Sequence, residues 1–131
     1  QATADTRIPL LLQTPAAVRW VSYEPAIAPI DFSPWLSRVV DTDDGGNDLR
    51  SVGLNWVVIG GESGPSARPF ALAWARSVIA QCRAAGVKAF FKQAGSRPVL
   101  DERALRLKDR KGGDLSELPP EFHVREFPDA T

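Results

Sequence analysis

Residues Trp56–Pro65, which read WVVIGGESGP, give the clearest indication of the fold. The first four of these residues are all apolar, a pattern typical of a strand that is buried on both faces of a parallel sheet. The glycines and the proline that follow end the strand sharply. Residues 71–85 then carry an apolar stripe that includes Cys82, and Gly86 provides a helix stop. The order predicts a strand, a tight loop and a helix, which together form one parallel α/β unit.

Two more strand-like segments flank this unit. Residues 18–23 are rich in β-branched and aromatic residues, and residues 87–91 follow the helix stop. Because helical segments separate the strands, we expect parallel crossovers. The predicted fold class is therefore α/β, with parallel βα units forming part of a partial TIM-type barrel. Residues 1–95 would supply these units, and residues 96–131 would form an irregular C-terminal extension that packs on the same domain.

Other elements are predicted from local signals. Residues 3–13 show helical periodicity, which Pro9 should break into two pieces. Ser33 followed by proline is a good start for a short helix, which should end in the acidic, glycine-rich loop of residues 41–48. Residues 122–127 alternate in polarity, as an edge strand does.

The amino-acid composition limits the classes of function that are open to the chain. The 16 Lys and Arg residues balance the 16 Asp and Glu residues, so there is no overall basic excess of the kind that holds nucleic acid, although a local patch remains open. No apolar run approaches the length of about 20 residues that spans a bilayer. A single cysteine, Cys82, excludes an intramolecular disulfide and suits a cytoplasmic setting. The chain contains no methionine, and we expect it to be a fragment or a processed chain.

Charged residues stand where the three strands end. Glu24, Glu62 and Lys92 occupy these positions and are the candidate catalytic residues. In parallel α/β proteins, ligands bind at the loops beyond the carboxyl ends of the strands. The alternatives are structural: Glu24 would pair with Arg19 or Lys92, Glu62 would pair with Arg68 in a tight turn, and Lys92 would be a lysine satisfied at the sheet rim.

The candidate cofactor-binding residues surround these strand ends. Glycines allow close approach of a ligand, and an arginine can form a paired contact with a carboxylate or phosphate. This set consists of Gly60, Gly61, Ser63, Arg68 and Gln93. No metal ligand is predicted, because His123 is the only histidine and no second cysteine is present. Cys82 lies on the apolar stripe of its helix and is predicted to be a core residue.

Four motifs together resemble a known family. The motifs are Ser22–Pro25 (SYEP), Asn55–Pro69 (NWVVIGGESGPSARP), Phe90–Gln93 (FFKQ) and Asp109–Asp114 (DRKGGD). They are similar to a phage and prophage family of uncharacterised proteins named after phage gene products thirty-seven and sixty-eight. Full-length members look like radical S-adenosylmethionine (SAM) proteins whose N-terminal half has a Cys-rich loop for a [4Fe-4S] cluster.

The resemblance implies that this chain corresponds to the C-terminal half of such an enzyme. It would then hold no cofactor by itself, while SAM and the cluster would belong to the full-length protein. Gly60, Gly61 and Glu62 would line the SAM or substrate side of the cavity. We expect the missing N-terminal half or a second copy of the chain to cover an open sheet edge; no membrane is involved.

Two other functions stay open at this point. One is a non-enzymatic phage accessory or interaction module that uses Trp35 and the acidic loop as partner surfaces. The other is a nucleic-acid-modifying protein with a basic C-terminal segment, so the substrate is either a small molecule or nucleic acid. The basic residues of that segment are Arg103, Arg106, Lys108, Arg110 and Lys111.

Overall fold

The computed structural model describes residues 1–41 and 49–129. Its helices are α1 (Ala2–Leu12) and α2 (Leu72–Ala85), with short 3₁₀ helices at Ser33–Trp35, Leu115–Glu117 and Pro120–Phe122. Its strands are β1 (Trp20–Tyr23), β2 (Arg38–Asp41), β3 (Leu49–Val52), β4 (Trp56–Gly60), β5 (Phe70–Ala71), β6 (Lys88–Gln93), β7 (Pro98–Leu100) and β8 (Arg103–Ala104).

The central sheet confirms the three predicted strands. Its order is β1-β4-β6, and both pairings are parallel. Between β4 and β6 the chain passes through α2, which ends at Gly86 with a left-handed φ of +67°. The N–H of Val87 donates to the carbonyl of Cys82 at 2.8 Å, so the predicted glycine stop closes the helix.

The predicted partial barrel is wrong. Two helices and three small sheets are described: the parallel sheet, an antiparallel pair β2-β3, and a mixed sheet β5-β7-β8. The physical reason lies in the connections. Between β1 and β4 the described chain forms a 3₁₀ helix and the β2-β3 hairpin, and β6 is followed by β7 and β8. Within residues 1–41 and 49–129, only the β4-to-β6 connection contains an α-helix, so βα units do not repeat around a barrel axis.

Two local predictions also need revision, and a third lies mostly outside the described residues. The helix expected from Ser33 is a single 3₁₀ turn, after which Leu36 is already extended. Helix α1 runs continuously through Pro9 and does not break into two pieces. The acidic loop predicted over residues 41–48 lies, beyond Asp41, outside the described residues.

Residues 124–126 add to the free side of β6. The N–H of Phe91 donates to Val124 at 2.7 Å, and the N–H of Glu126 donates to Ala89 at 2.9 Å. Phe90 and Arg125 form an isolated antiparallel bridge, so the predicted edge strand is reduced to a single bridge, and its first residue, Phe122, ends a 3₁₀ helix. Across residues 1–41 and 49–129, neither helix has the length and apolarity needed to cross a membrane.

The two faces of the parallel sheet differ in burial. Val57, Ile59 and Phe91 point to the face that packs into the core with α2, and each is 0% exposed. On the opposite face, Trp20 and Trp56 lie side by side with ring centroids 5.3 Å apart. Trp20 is 47% exposed. Parallel sheets are normally covered on both faces, so this open aromatic face is unusual.

Candidate functional site

The carboxyl ends of β1 and β6 are joined by an ion pair. Nζ of Lys92 lies 3.1 Å from Oε1 and 3.0 Å from Oε2 of Glu24. Strand β4 separates the two outer strands, which places them two strand spacings, about 10 Å, apart. The two long side chains therefore meet across the end of β4. One structural alternative for Glu24, an ion pair with Lys92, is thus present, while Nε of Arg19 donates to the carbonyl of Thr14.

Gly60 leaves the room in which this ion pair forms. A Cβ atom built on Gly60 would lie 3.0 Å from Cδ and 3.3 Å from Oε1 of Glu24. Even an alanine at this position would force the Glu24 side chain to shift by a few tenths of an ångström. Gly60 is therefore needed for the position of Glu24, a role that its place at the end of the central strand hints at.

Glu62 is held by Arg68 in a paired contact. Nε and Nη2 of Arg68 donate to the two carboxylate oxygens at 2.8 and 3.0 Å, and the Arg68 N–H adds a bond of 2.9 Å. The guanidinium hydrogen bonds, then the backbone hydrogen bond, lower the pKa of Glu62 to about 2. Glu62 is therefore a carboxylate at neutral pH and is unsuited to act as a general acid. The ion pair in a tight turn was the structural alternative for this residue.

Gly61 and Gln93 hold two loops together. The Gly61 N–H donates to the carbonyl of Gln93, and Nε2 of Gln93 donates back to the carbonyl of Gly61, both at 3.0 Å. A Cβ atom on Gly61 would lie 2.4 Å from the carbonyl oxygen of Ala94. This packing accounts for a glycine at position 61 without any ligand.

The predicted site residues fall into separate groups. Glu24 lines a cavity of about 450 Å³ together with residues of α1, whereas Ser63 lines a different cavity of about 870 Å³. Glu24, Gly60 and Lys92 are brought together at the sheet edge. Glu62 pairs with Arg68 in the following loop instead of joining Glu24 and Lys92.

Two residues outside the predicted set organise the neighbourhood. Arg125 donates from Nη2 to the carbonyls of Lys92 at 3.1 Å and Gly113 at 2.8 Å, which fixes the end of β6 against the DRKGGD loop. Asp109 starts that loop, and its carboxylate accepts backbone N–H bonds, one of them from Gly113 at 2.7 Å. Its position before a Gly-Gly turn signals this role. No local signal identifies Arg125, because its partners are distant in sequence.

An iron–sulfur cluster does not fit the described residues. Such clusters are held by cysteine thiolates, and Cys82 is 0% exposed in the core, as predicted. Burial raises the pKa of its thiol to about 12, which opposes thiolate formation. The described parts of the chain contain no group of three or more His, Cys, Asp or Glu side chains able to hold a metal ion. The Glu24–Lys92 pair, in contrast, offers one acceptor and one donor suited to the ammonium and carboxylate of an amino acid group.

Comparison with known proteins gives one match. A family model described as "Protein of unknown function (DUF5131)" matches residues 1–118. No curated protein and no solved structure matches the chain. The match describes an uncharacterised family and links the chain neither to radical-SAM chemistry nor to phages.

Proposed function

We propose that this chain, which belongs to the DUF5131 family of proteins of unknown function, binds a small zwitterionic ligand at Glu24 and Lys92. We further propose that in a longer, radical-SAM-like phage or prophage protein this ligand is S-adenosylmethionine. The observation that carries the proposal is the Glu24–Lys92 ion pair, which spans the carboxyl end of the parallel sheet above Gly60. Ligands of parallel α/β sheets bind at this edge.

The ion pair is poised for exchange with a ligand. The Lys92 side chain is 51% exposed and that of Glu24 is 20% exposed. An ion pair this accessible to water contributes about 0–1 kcal/mol, so its opening costs little. A ligand that carries an ammonium and a carboxylate forms one ion pair with Glu24 and another with Lys92. The ammonium and the carboxylate together leave the net charge of the site unchanged, which favours an amino acid group over a lone anion or a lone cation. SAM brings the positive charge of its sulfonium in addition to this group.

The open face beside the ion pair suits a flat ring. Phe90 lies two residues before Lys92 on the same face of β6, and its ring contacts Trp56 with centroids 6.0 Å apart. Aromatic side chains on an exposed sheet bind heterocyclic bases by stacking. Trp56 and Phe90 would bind the adenine ring in the place of the Phe127 ring, which contacts both of them. Glu24 and Lys92 would bind the methionine group. These are the two ends of S-adenosylmethionine.

The cluster must come from elsewhere, because Cys82 is buried and the described residues offer no other thiolate. We propose that the part of the longer protein that carries the cluster covers the open aromatic face. Phe127 supports the proposal that another polypeptide packs on this face. Its ring contacts Trp56 and Phe90 but is itself 63% exposed, so it leaves apolar surface for a partner to bury. A second copy of the chain is the competing occupant.

The ligand site is tested by calorimetric titration of SAM into the chain, with methionine as a smaller ligand that has the same amino acid group but no sulfonium. Lys92→Gln and Glu24→Gln should each weaken SAM binding about tenfold, since each removes one charged contact with the ligand. Glu121→Gln is the matched control, because it breaks the Arg76–Glu121 ion pair, which is also exposed but lies away from the sheet edge. Wild-type protein that binds neither compound, or a control that loses as much affinity, refutes the ligand site.

The radical-SAM part has its own test. The natural protein that contains this chain, purified without oxygen, should contain iron and sulfide at cluster stoichiometry. If the protein contains neither iron nor sulfide, the cluster is refuted. The SAM titration then remains an independent test of the ligand site. Light scattering of the chain alone then identifies the cover: a concentration-dependent dimer favours a second copy, and a monomer favours the cluster-bearing part.

A further inference from the structure

The largest cavity described above, of about 870 Å³, is a second charged site away from the sheet edge. Three segments line it: the loop after β4, the loop after β6, and the stretch before the Gly-Gly turn. The basic residues among its lining are Arg97, Arg106, Arg110 and Lys111. We infer that this cavity binds a phosphorylated small molecule of nucleotide size, with the four basic residues holding the phosphates. This inference is independent of the zwitterion site.

The charge of the cavity is strongly one-sided. Four cations and one carboxylate, Asp109, line it, which leaves a formal charge of +3. The Asp109 carboxylate accepts backbone N–H bonds from Lys111, Gly113 and Asp114 at 3.0, 2.7 and 2.9 Å. These bonds lower its pKa and keep it ionised. Because the carboxylate is committed to the turn, it stabilises the loop and forms no ion pair with the guanidinium groups.

None of the four basic residues forms an ion pair with a carboxylate in the described part of the chain. Arg97 donates one bond to the carbonyl of Ala67 at 3.3 Å. Like charges in one cavity repel one another, and a bound anion relieves this electrostatic repulsion. Arg68, Arg76 and Lys92, outside the cavity, are each paired with a glutamate.

Ser96 forms hydrogen bonds that join the three segments lining the cavity in the absence of a ligand. Its hydroxyl accepts from the Gly64 N–H at 2.9 Å and donates to the carbonyl of Arg110 at 2.7 Å. Its own N–H donates to the carbonyl of Glu62 at 2.8 Å. One residue thus joins the loop after β4 and the stretch before the Gly-Gly turn to the loop after β6. A preorganised site binds with less loss of conformational entropy.

The size and lining indicate the ligand class. A volume of about 870 Å³ is in the range of cavities that hold nucleotide-sized ligands. The wall also has apolar members, Pro65, Pro98, Leu105 and Leu107, which suit the organic part of such a ligand. Gly64 adds access, because a Cβ atom built there would meet no atom within 4 Å. Guanidinium groups pair with carboxylate and phosphate oxygens alike. The formal charge of +3 on the lining residues is what favours a multiply charged phosphate ester over a singly charged carboxylate ligand.

The test titrates ATP, pyrophosphate and inorganic phosphate into the chain, together with a single-stranded oligonucleotide. ATP should bind most tightly and should weaken as salt rises from about 50 to about 300 mM. Arg97→Gln and Arg106→Gln should each weaken ATP binding about tenfold. Arg103→Gln is the matched control: Arg103 lies in β8, three residues from Arg106, but does not line the cavity.

Each outcome decides the inference. ATP binding that falls in both cavity variants but not in Arg103→Gln supports it, provided that thermal unfolding shows all the variants to be folded. Binding of the oligonucleotide without binding of ATP overturns it in favour of nucleic acid. If Arg103→Gln loses as much ATP affinity as the cavity variants, general surface charge accounts for the binding, and the inference is overturned as well. No binding of any phosphate compound at about 1 mM also overturns it.

Discussion

Gly61→Ala should destabilise the fold far more than a typical glycine substitution does. The added Cβ would lie 2.4 Å from the carbonyl oxygen of Ala94 and 2.7 Å from Cδ1 of Phe70. Real Cβ atoms essentially never approach closer than 3.0 Å, so the Ala94 carbonyl must move by at least 0.6 Å. Neither group can move easily, because the Ala94 carbonyl belongs to the backbone and the Phe70 ring is buried, with 1% of its surface exposed.

The expected loss of stability follows from the backbone hydrogen bonds that Ala94 and Gly95 form. Their N–H groups donate to Gly112 at 2.8 Å and to Lys111 at 2.9 Å, which anchors the DRKGGD loop. Overpacking costs about 1–3 kcal/mol, and loss of two backbone hydrogen bonds adds about 1 kcal/mol each. We therefore expect the free energy of unfolding to fall by about 3–5 kcal/mol, a large share of the roughly 5–15 kcal/mol of a small domain.

Urea unfolding followed by tryptophan fluorescence measures this loss, because the chain has 4 tryptophans. Gly113→Ala is the control: it lies in the anchored loop, but its nearest obstacle is a side-chain oxygen of Asp109 at 3.3 Å. It should cost less than about 1 kcal/mol. A Gly61→Ala variant within 1 kcal/mol of wild type, or a control that loses as much, would refute the close packing of these loops.

Two further predictions concern charge and backbone strain. In Arg68→Met, the pKa of Glu62 should rise from about 2 toward 4.5 in a carboxyl NMR titration, and a value that stays near 2 would contradict the pairing. Because the folded pKa lies below the unfolded one, the pair stabilises wild type above pH 4.5, and this contribution is lost as the pH falls toward 2. Glu102→Gly should raise the urea midpoint, since Glu102 has a φ of +68° and glycine relieves about 1 kcal/mol of strain; an equal rise in Glu102→Ala would argue against this cause.

The strands of the parallel sheet were predictable because their signal is local. Residues 56–59 are apolar on both faces, and the glycine loop marks where β4 ends. The architecture around them was not predictable from the same signals. The periodicity of each segment does not specify whether the chain between β1 and β4 forms a helix, and a hairpin of two four-residue strands replaces it. The β7-β8 turn also lacks a glycine signal, since Asp101 and Glu102 adopt positive φ there.

The candidate site was predictable as a set of strand ends but not as a set of contacts. Glu24 and Lys92 are 68 positions apart, and their meeting depends on the order of the sheet, which puts β4 between them. The partner of Glu62 is six residues away, so its pairing was already an alternative at the level of sequence. The four basic residues of the large cavity come from segments that are distant in sequence, which Ser96 and the N–H groups of Ala94 and Gly95 join by hydrogen bonds.

The two adjacent glycines show that the GGESG stretch serves two purposes instead of forming one cofactor loop. Gly60 faces Glu24 and makes space for the ion pair of the open sheet face, whereas Gly61 faces Ala94 and closes the loop packing behind it. Alanine at position 60 should therefore disturb the zwitterion site through the movable Glu24 side chain. Alanine at position 61 should instead shift the loops that form the walls of the cationic cavity. If the stretch were a single ligand-binding loop, both substitutions would weaken the same ligand; separate losses of SAM and ATP binding would establish two sites on either side of one short turn.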